Sequence, residues 1–432
     1  MGAGIPITVH GDVDGRAVEQ LRRCAEAGGA IRGVLCADGH VGYSQPIGGA
    51  VAYPEHISPS GVGFDIACGN KAARSELLVD DVAPDVARIM DEVFDRISFG
   101  MGRKNDEPVD HPVLDRIKNA EFAPQRALYD LAASQLGTVG AGNHYVDLFA
   151  GDDGHVWVGV HFGSRGFGHK TASGFLALAD GLRFDERARE GEMDSPPKLL
   201  AVDSELGQAY IVAMHLAGEY AYAGRDTVVA KVLDILGARA TYEVHNHHNF
   251  AWRERHFDTD VWVVRKGCTP AFPGQEGFVG ATMGEPSVVL RGVDSDGSRE
   301  LLYSTVHGAG RVMSRTKAAG KSRRRWACTS CEWFQGPGEH KPADGRCPRC
   351  SQHLAKRLVQ LVPGLIDFAA VKASLGEGGV ELRGGGADEA PDAYKRLDAV
   401  LAAHGDTIEV VHRLTPIGVA MAGAETFDPY KD

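Results

Sequence analysis

Gly63-Phe64-Asp65-Ile66-Ala67-Cys68-Gly69 sets a carboxylate and a thiol three residues apart in a glycine-bounded turn. From such a turn both side chains can face one cation, and the thiolate is the metal-binding form of cysteine. Taken alone, the segment is equally well a small buried cysteine beside a turn-forming aspartate. Four histidine motifs lie outward from it: Gly142-Asn143-His144, His161 ahead of Gly163-Ser164-Arg165-Gly166, His248 before Asn249, and His307-Gly308-Ala309-Gly310-Arg311. Asp65, Cys68, His144, His161 and His248 form a full ligand set for one or two transition-metal ions, because imidazole and thiolate suit Mn, Fe, Co or Zn. Bare backbone at Gly308, Ala309 and Gly310 would let a phosphate approach His307 closely. Neutral imidazole is a competent nucleophile toward phosphorus, and Arg311 could brace phosphate charge. Without the metal motifs, the His307 stretch reads only as a tight turn. With them, the chemistry suggested is nucleotidyl or phosphoryl transfer.

The bulk composition allows this and excludes other classes. The 432 residues are 43% hydrophobic and 24% charged, as in ordinary globular proteins. The 55 glycines fit a loop-rich site better than a helical bundle. A net charge of −12 argues against a coat protein that binds nucleic acid by charge alone. The sequence holds no apolar run of transmembrane length, and Met1–His10 lacks the pattern of a secretory signal. A cytoplasmic location without a membrane partner is therefore expected.

Apolar spacing predicts helices over Ala17–Ala27 and Val82–Phe94, and a third after Asp203 as N-cap. The third runs through Tyr210, Met214, Leu216, Tyr220 and Ala223, with Thr227–Leu236 as its continuation. Strands are expected at Val156–Val160, Val261–Val264, Val288–Leu290 and Ile408–Val411. Helices and strands do not alternate regularly, so the expected class is α+β with a mixed sheet core. One catalytic domain over residues 1–432 must gather motifs spread from Asp65 to His307. Cys328, Cys331, Cys347 and Cys350 have the Cys-x2-Cys-x15-Cys-x2-Cys spacing of a four-thiolate zinc ribbon. The ribbon is expected as an insertion over residues 322–355, since strand-like segments resume beyond it. Arg323, Arg324 and Arg325 run into Trp326 beside it, with Trp333 and Phe334 inside, so RNA backbone contact and base stacking are plausible there.

These motifs, with Ala37-Asp38-Gly39-His40-Val41-Gly42, Pro46-Ile47-Gly48-Gly49, Arg265-Lys266-Gly267 and the stretch from Ile408 to Gly423, resemble the RtcB family of RNA-splicing ligases over nearly the whole chain. The resemblance implies a two-manganese site with Asp65, Cys68, His144, His161 and His248 as ligands, the thiolate being shared. It implies that His307 is guanylylated by GTP. Asn143, Tyr145, Asp147, Asn249, Thr282, Met283, Ser287, Gly308, Ala309 and Gly310 fall on nucleotide-contacting positions. Arg311, like Arg323–Arg325, is a candidate RNA contact. The implied reaction joins an RNA 3′-phosphate, or a 2′,3′-cyclic phosphate after ring opening, to a 5′-hydroxyl in RNA repair or tRNA splicing. Its route is a histidine–GMP adduct and then an RNA–guanylate anhydride, with an archease-like activator as a further partner.

The chain departs from the family pattern at several positions. Asp147 replaces the usual glutamate, Glu285 and Pro286 replace small residues and put acid close to the expected nucleotide, and Met421 stands where the family has a guanine-contacting lysine. The zinc-ribbon insertion is not part of the common core. Two rival readings use the same residues: a dinuclear-metal RNA phosphoesterase or cyclic-phosphate hydrolase, and a non-catalytic scaffold that binds RNA ends.

Overall fold

The computed structural model describes residues 4–186 and 193–426. Every apolar run expected as a strand lies within a longer one: His155–Phe162, Thr259–Lys266, Ser287–Gly292 and Ile408–Gly423. Two sheets carry the fold. The larger has the order Glu276–Val279, Ser287–Gly292, Ile408–Gly423, Tyr145–Gly151, His155–Phe162, Gly69–Leu78, Ala240–His247. It is mixed, because Glu381–Gly385 adds a parallel partner to Ile408–Gly423 while the other pairs are antiparallel. The smaller runs Ile7–Val9, Arg32–His40, Ile47–Tyr53, Thr259–Lys266, Asn249–His256. The α+β class is thus observed.

Apolar residues fill both faces of the smaller sheet. Val34, Cys36, Ala50, Ala52, Val261 and Val263 meet Val279, Val288 and Leu290 of the larger sheet. On the opposite face Leu35, Val51, Tyr53 and Val264 pack with Leu21 and Cys24 of the Gly15–Ala27 helix and with Tyr210, Met214 and Ala217. The larger sheet is covered by Ile89, Met90 and Val93 and by Val228, Val229 and Val232.

Helix boundaries correct two expectations. The helix expected over Val82–Phe94 is continuous only over Val86–Arg96, behind a turn of helix at Val79–Val82 and a 3₁₀ turn at Ala83–Asp85. Pro84 is the reason: it has no N–H to donate and fits only a first turn. The long helix spans Glu205–Leu236 without a break, so Thr227–Leu236 does continue it. Its N-cap, however, is Ser204, whose hydroxyl accepts from the Gly207 amide at 3.0 Å, and not Asp203. Gly237 ends it at φ 64°, a left-handed conformation that glycine adopts without strain. None of the helices among the described residues is long and apolar enough to cross a membrane.

The four-cysteine segment forms the tip of a hairpin in which Gly320–Cys328 pairs with Leu354–Pro363. The paired strands reach beyond the expected limits of 322–355 at both ends.

If Ser204 is the cap, Ser204→Ala should cost about 1 kcal/mol of unfolding free energy in urea titration. Asp203→Ala should change it by less than about 0.5 kcal/mol. The reverse ranking would return the cap to Asp203.

Candidate active site and metal centre

Antiparallel pairing brings the sequence-distant motifs to one edge of the larger sheet. Asn70 and Tyr145 both stand opposite His161, and Gly69 stands opposite His247. The Asp65–Cys68 turn, His144, His161 and His248 therefore converge. His248 is the single residue between Ala240–His247 of the larger sheet and Asn249–His256 of the smaller one. The amides of His248 and Asn249 both donate to the Cys68 carbonyl, and the Ala67 amide donates to the Asn249 carbonyl. This pins the turn to the corner between sheets.

Arg225 locks the arrangement from below. It is fully buried on the long helix and donates to the Ala67 and Phe162 carbonyls at 3.0 and 2.6 Å. It also meets His245 Nε2 at 2.8 Å and His247 Nδ1 at 2.9 Å. Burial lowers its pKa to about 10, so it stays charged at neutral pH. Ala67 has φ 58°, a conformation costly for a residue with a Cβ, and its carbonyl is one of those Arg225 holds.

The donor atoms form two overlapping sets, Asp65–Cys68–His144 and Cys68–His161–His248, each within 4.8 Å. Cys68 Sγ lies 3.5 Å from His144 Nε2 and 3.3 Å from His161 Nε2, and His144 Nε2 lies 3.2 Å from Asp65 Oδ2. His161 donates through Nδ1 to the Asn143 carbonyl at 3.1 Å, which leaves Nε2 as the free lone pair. Burial first, then neighbouring imidazoles, keep His161 and His248 far below the usual imidazole range, so both offer neutral nitrogen. Burial and the Asp65 carboxylate push the Cys68 thiol well above its usual range. A thiol so placed becomes a thiolate when a cation compensates it. Carboxylate, thiol and neutral imidazoles therefore fit one or two divalent ions, with Cys68 common to both sets.

His307 follows the short Ser304–Val306 strand. Its Nδ1 donates to Asp38 Oδ2 at 2.7 Å, and its own amide donates to the same oxygen at 3.0 Å. The Nδ1 bond fixes the tautomer with Nε2 unprotonated. The ring lies 4.8 Å, centroid to centroid, from that of His248. Asp38 is fully buried; burial opposes its ionisation, yet the His307 contacts hold its carboxyl below the usual range. Sequence reading gave Asp38 no role, although an acid in the apolar run Val34-Leu35-Cys36-Ala37 needs a partner when buried. Gly310 is required because φ is 77° and a Cβ would meet the Asp38 carbonyl at 2.3 Å. Its constraint is packing on Asp38, whereas a Cβ at Gly308 would make only an ordinary contact, 3.5 Å from the Gly280 carbonyl.

One cavity of about 800 Å³ is lined by Asp65, Cys68, His144, His161, His248 and His307. Asn143, Tyr145, Asp147, Asn249, Thr282, Met283, Gly308, Ala309 and Gly310 line it, as do Lys266, Tyr394 and Met421. The hydroxyls of Tyr145 and Thr282 and one oxygen of Asp147 are buried without a partner, beside apolar Met283 and Met421. Burial pushes the Asp147 carboxyl well above its usual range, so it can donate as well as accept. Asn249 instead serves the scaffold, accepting from the Gly267 amide at 2.6 Å.

Three sequence-selected residues lie differently from expectation. Ser287 is behind the cavity wall, where its hydroxyl accepts from the Ala281 amide at 3.0 Å. Glu285, expected to bring acid to the nucleotide, is outside the lining and pairs with Arg396. Arg311 lines the cavity, but its guanidinium already bonds Tyr394 Oη at 2.7 Å and the Asp388 carbonyl at 2.7 Å.

The profile of the family described as tRNA-splicing ligase RtcB matches residues 20–127 and 114–331. The chain belongs to the RtcB family. The RNA-splicing ligase RtcB of Escherichia coli is 28% identical over 88% of this chain and 87% of its own length. The tRNA-splicing ligase RtcB of Archaeoglobus fulgidus is 29% identical over 94% and 90%. That of Thermococcus kodakarensis is 29% identical over 94% and 91%. The matched RtcB span contains both donor sets, Asp38 and His307, and ends inside the hairpin.

The hairpin tip holds a second cluster. Cys328, Cys331, Cys347 and Cys350 present sulfurs within 4.8 Å of one another. Cys350 Sγ lies 3.3 Å from that of Cys328 and 3.5 Å from that of Cys331, and Cys331 and Cys347 are 3.6 Å apart. The Ser330 and Arg349 amides point at the sulfurs of Cys328 and Cys347. Four such sulfurs could surround one tetrahedral ion.

Gly163 gives a sharp test of the metal centre. A Cβ there would lie 2.2 Å from Asp65 Oδ1. If the two donor sets hold divalent ions, Gly163→Ala should weaken divalent-metal binding in calorimetry by tenfold or more, with the far-ultraviolet spectrum unchanged. Wild-type affinity in that variant would remove Asp65 from the ligand set.

Proposed function

We propose that this chain is an RNA ligase that joins RNA 3′-phosphate or 2′,3′-cyclic phosphate ends to 5′-hydroxyl ends through a nucleotide carried on His307. One observation carries the reading: an imidazole oriented by a buried carboxylate shares a cavity with two overlapping metal-donor sets. The RNA-joining activity named for its relatives supports the same reading.

His307 Nε2 attacks the α-phosphorus of GTP, the bond to the bridging oxygen breaks, and pyrophosphate leaves. Asp38 holds the ring in line and offsets the positive charge that the imidazole gains as nitrogen bonds phosphorus, the role an orienting carboxylate plays beside a reactive histidine. In cyclic RNA ends, water first adds to phosphorus and the bond to the 2′-oxygen breaks, leaving a 2′-hydroxyl and a 3′-phosphate. A 3′-phosphate oxygen of RNA then attacks the phosphorus carried on His307, the nitrogen–phosphorus bond breaks, and an RNA–guanylate anhydride forms. Attack by the 5′-hydroxyl on the RNA phosphorus makes the new diester and releases GMP. Two Mn²⁺ held by Asp65, Cys68, His144, His161 and His248 would neutralise phosphate charge and orient the reacting groups. One Zn²⁺ in the four-thiol cluster would organise the ribbon.

Asn143, Tyr145, Asp147, Thr282 and Met283 form the nucleotide pocket. Its unpartnered Tyr145, Asp147 and Thr282 atoms favour a ligand with matching donors and acceptors, since each buried orphan costs about 1–3 kcal/mol. Met421 lies against Tyr145 in the strand register, where the resemblance places a guanine-contacting lysine.

His307→Ala should lose all protein-linked label from α-labelled GTP and Mn²⁺ while keeping wild-type metal content. Label that persists in this variant would overturn the assignment.

Methionine cannot donate to the guanine carbonyl oxygen, so discrimination of GTP over ATP should fall short of the family pattern by about one to two powers of ten. In competition labelling, Met421→Lys should restore preference for GTP. Strong preference in the wild type would show that another pocket group already reads guanine.

A further inference from the structure

The exposed cations of this acidic chain are mostly paired. Arg88, Arg96, Arg255, Arg299 and Arg413 each lie beside an aspartate or glutamate. The ribbon hairpin is different. From Arg315 to Arg357 the sequence has eleven lysines and arginines against three acids, Glu332, Glu339 and Asp344, on a chain of net charge −12. All three acids lie in the ribbon tip, and the paired strands Gly320–Cys328 and Leu354–Pro363 carry none. Among the described residues, Lys321, Arg323, Arg324, Arg325, Lys356 and Arg357 have no ion-pair partner.

The arrangement is also unfavourable without a ligand. Arg325 stands directly opposite Arg357 in the ladder, and like charges in that position destabilise a sheet. Arg323, two residues along, projects from the same face as Arg325. Arg325 Nε is buried and has no acceptor. A bound anion would relieve both faults.

The position of the hairpin identifies which anion. Arg311, Met313, Ser314 and Arg315 line the catalytic cavity, the short helix Arg315–Ala319 follows, and the strand starts at Gly320. The cationic track thus begins at the cavity rim. A strand of nine residues at about 3.3 Å each extends roughly 30 Å. A strand stacked as in a duplex, at about 3.4 Å per phosphate, would cover that length with roughly eight or nine nucleotides, and an unstacked strand with fewer.

Building on the ligase reading, we propose that this hairpin binds the phosphate backbone of the RNA whose end occupies the cavity, several nucleotides away from the reacting phosphate. Arg323, Arg325 and Arg357 form the central contact on one face of the hairpin, flanked by Lys321.

The test is fluorescence anisotropy with single-stranded RNAs of 20 and 4 nucleotides, each bearing a 3′-phosphate. Wild type is compared with the triple variant Arg323→Gln, Arg325→Gln, Arg357→Gln, with circular dichroism and zinc content checking its fold. The variant should bind the 20-mer about tenfold or more weakly, and its slope of log affinity against log salt should be shallower by about 2, near 0.7 for each lost phosphate contact. The 4-mer should bind both proteins alike. Unchanged 20-mer affinity and slope would overturn the proposal and leave the hairpin as a surface for an acidic protein. Equal losses for both RNAs would overturn it too, by placing the effect at the cavity. Labelling of wild-type His307 by GTP is scored separately, so a failure of the ligase reading is distinguishable from a failure of the RNA track.

Discussion

The site depends on one buried cation. Arg225 reaches from the long helix to the carbonyls of Ala67 and Phe162 and to the imidazoles of His245 and His247. Those four acceptors belong to the Asp65–Cys68 turn, the end of the His161 strand and the strand that leads into His248. A single guanidinium therefore sets the spacing of three segments that are far apart in sequence. Hydrogen bonds from a charged donor are stronger than neutral ones, and leaving such acceptors buried and unpaired would be costly. The unfavourable φ of Ala67 is maintained within this network.

A division of labour follows. The five donor residues sit at one end of the larger sheet's strands, and Gly69–Leu78, Tyr145–Gly151 and His155–Phe162, which adjoin Cys68, His144 and His161, are paired on both sides, so their spacing is fixed by the ladder. His307 instead sits on a loop held by Asp38 from the smaller sheet. The two sheets meet where the chain turns at His248, and His307 and the two donor sets face each other across that junction. Small relative movement of the sheets would alter the His248–His307 separation without disturbing the donor sets themselves.

Much of this was legible in the sequence, for stated physical reasons. Carboxylate, thiol and imidazole at glycine-rich turns signal a metal site because few other roles need that mixture, and the structure gathers all five residues. The regular Cys-x2-Cys pairs announced the four-thiol cluster. What escaped notice was the supporting shell. Asp38 and Arg225 are single charged residues within apolar segments, and only three-dimensional proximity reveals their partners. Ser287 and Glu285 were read as facing the nucleotide because of their place in the chain, but a turn after Thr282 sends one behind the wall and the other toward Arg396. The cap of the long helix slipped by one residue because aspartate and serine are nearly equivalent caps and only geometry separates them.

The base of the hairpin has a consequence of another kind. The amides of Leu365 and Ile366 donate to the carbonyls of Lys317 and Ala318, so the chain leaves and re-enters the body at neighbouring points. Everything between forms a closed excursion whose interior, Cys328, Cys347 and Leu354 with Trp326 and Trp333, is separate from the main cores. Such a module can gain or lose order without moving the strands on either side of its gate. It is therefore a natural place for the chain to vary in length over evolutionary time, since excision at this gate leaves two ends that already touch.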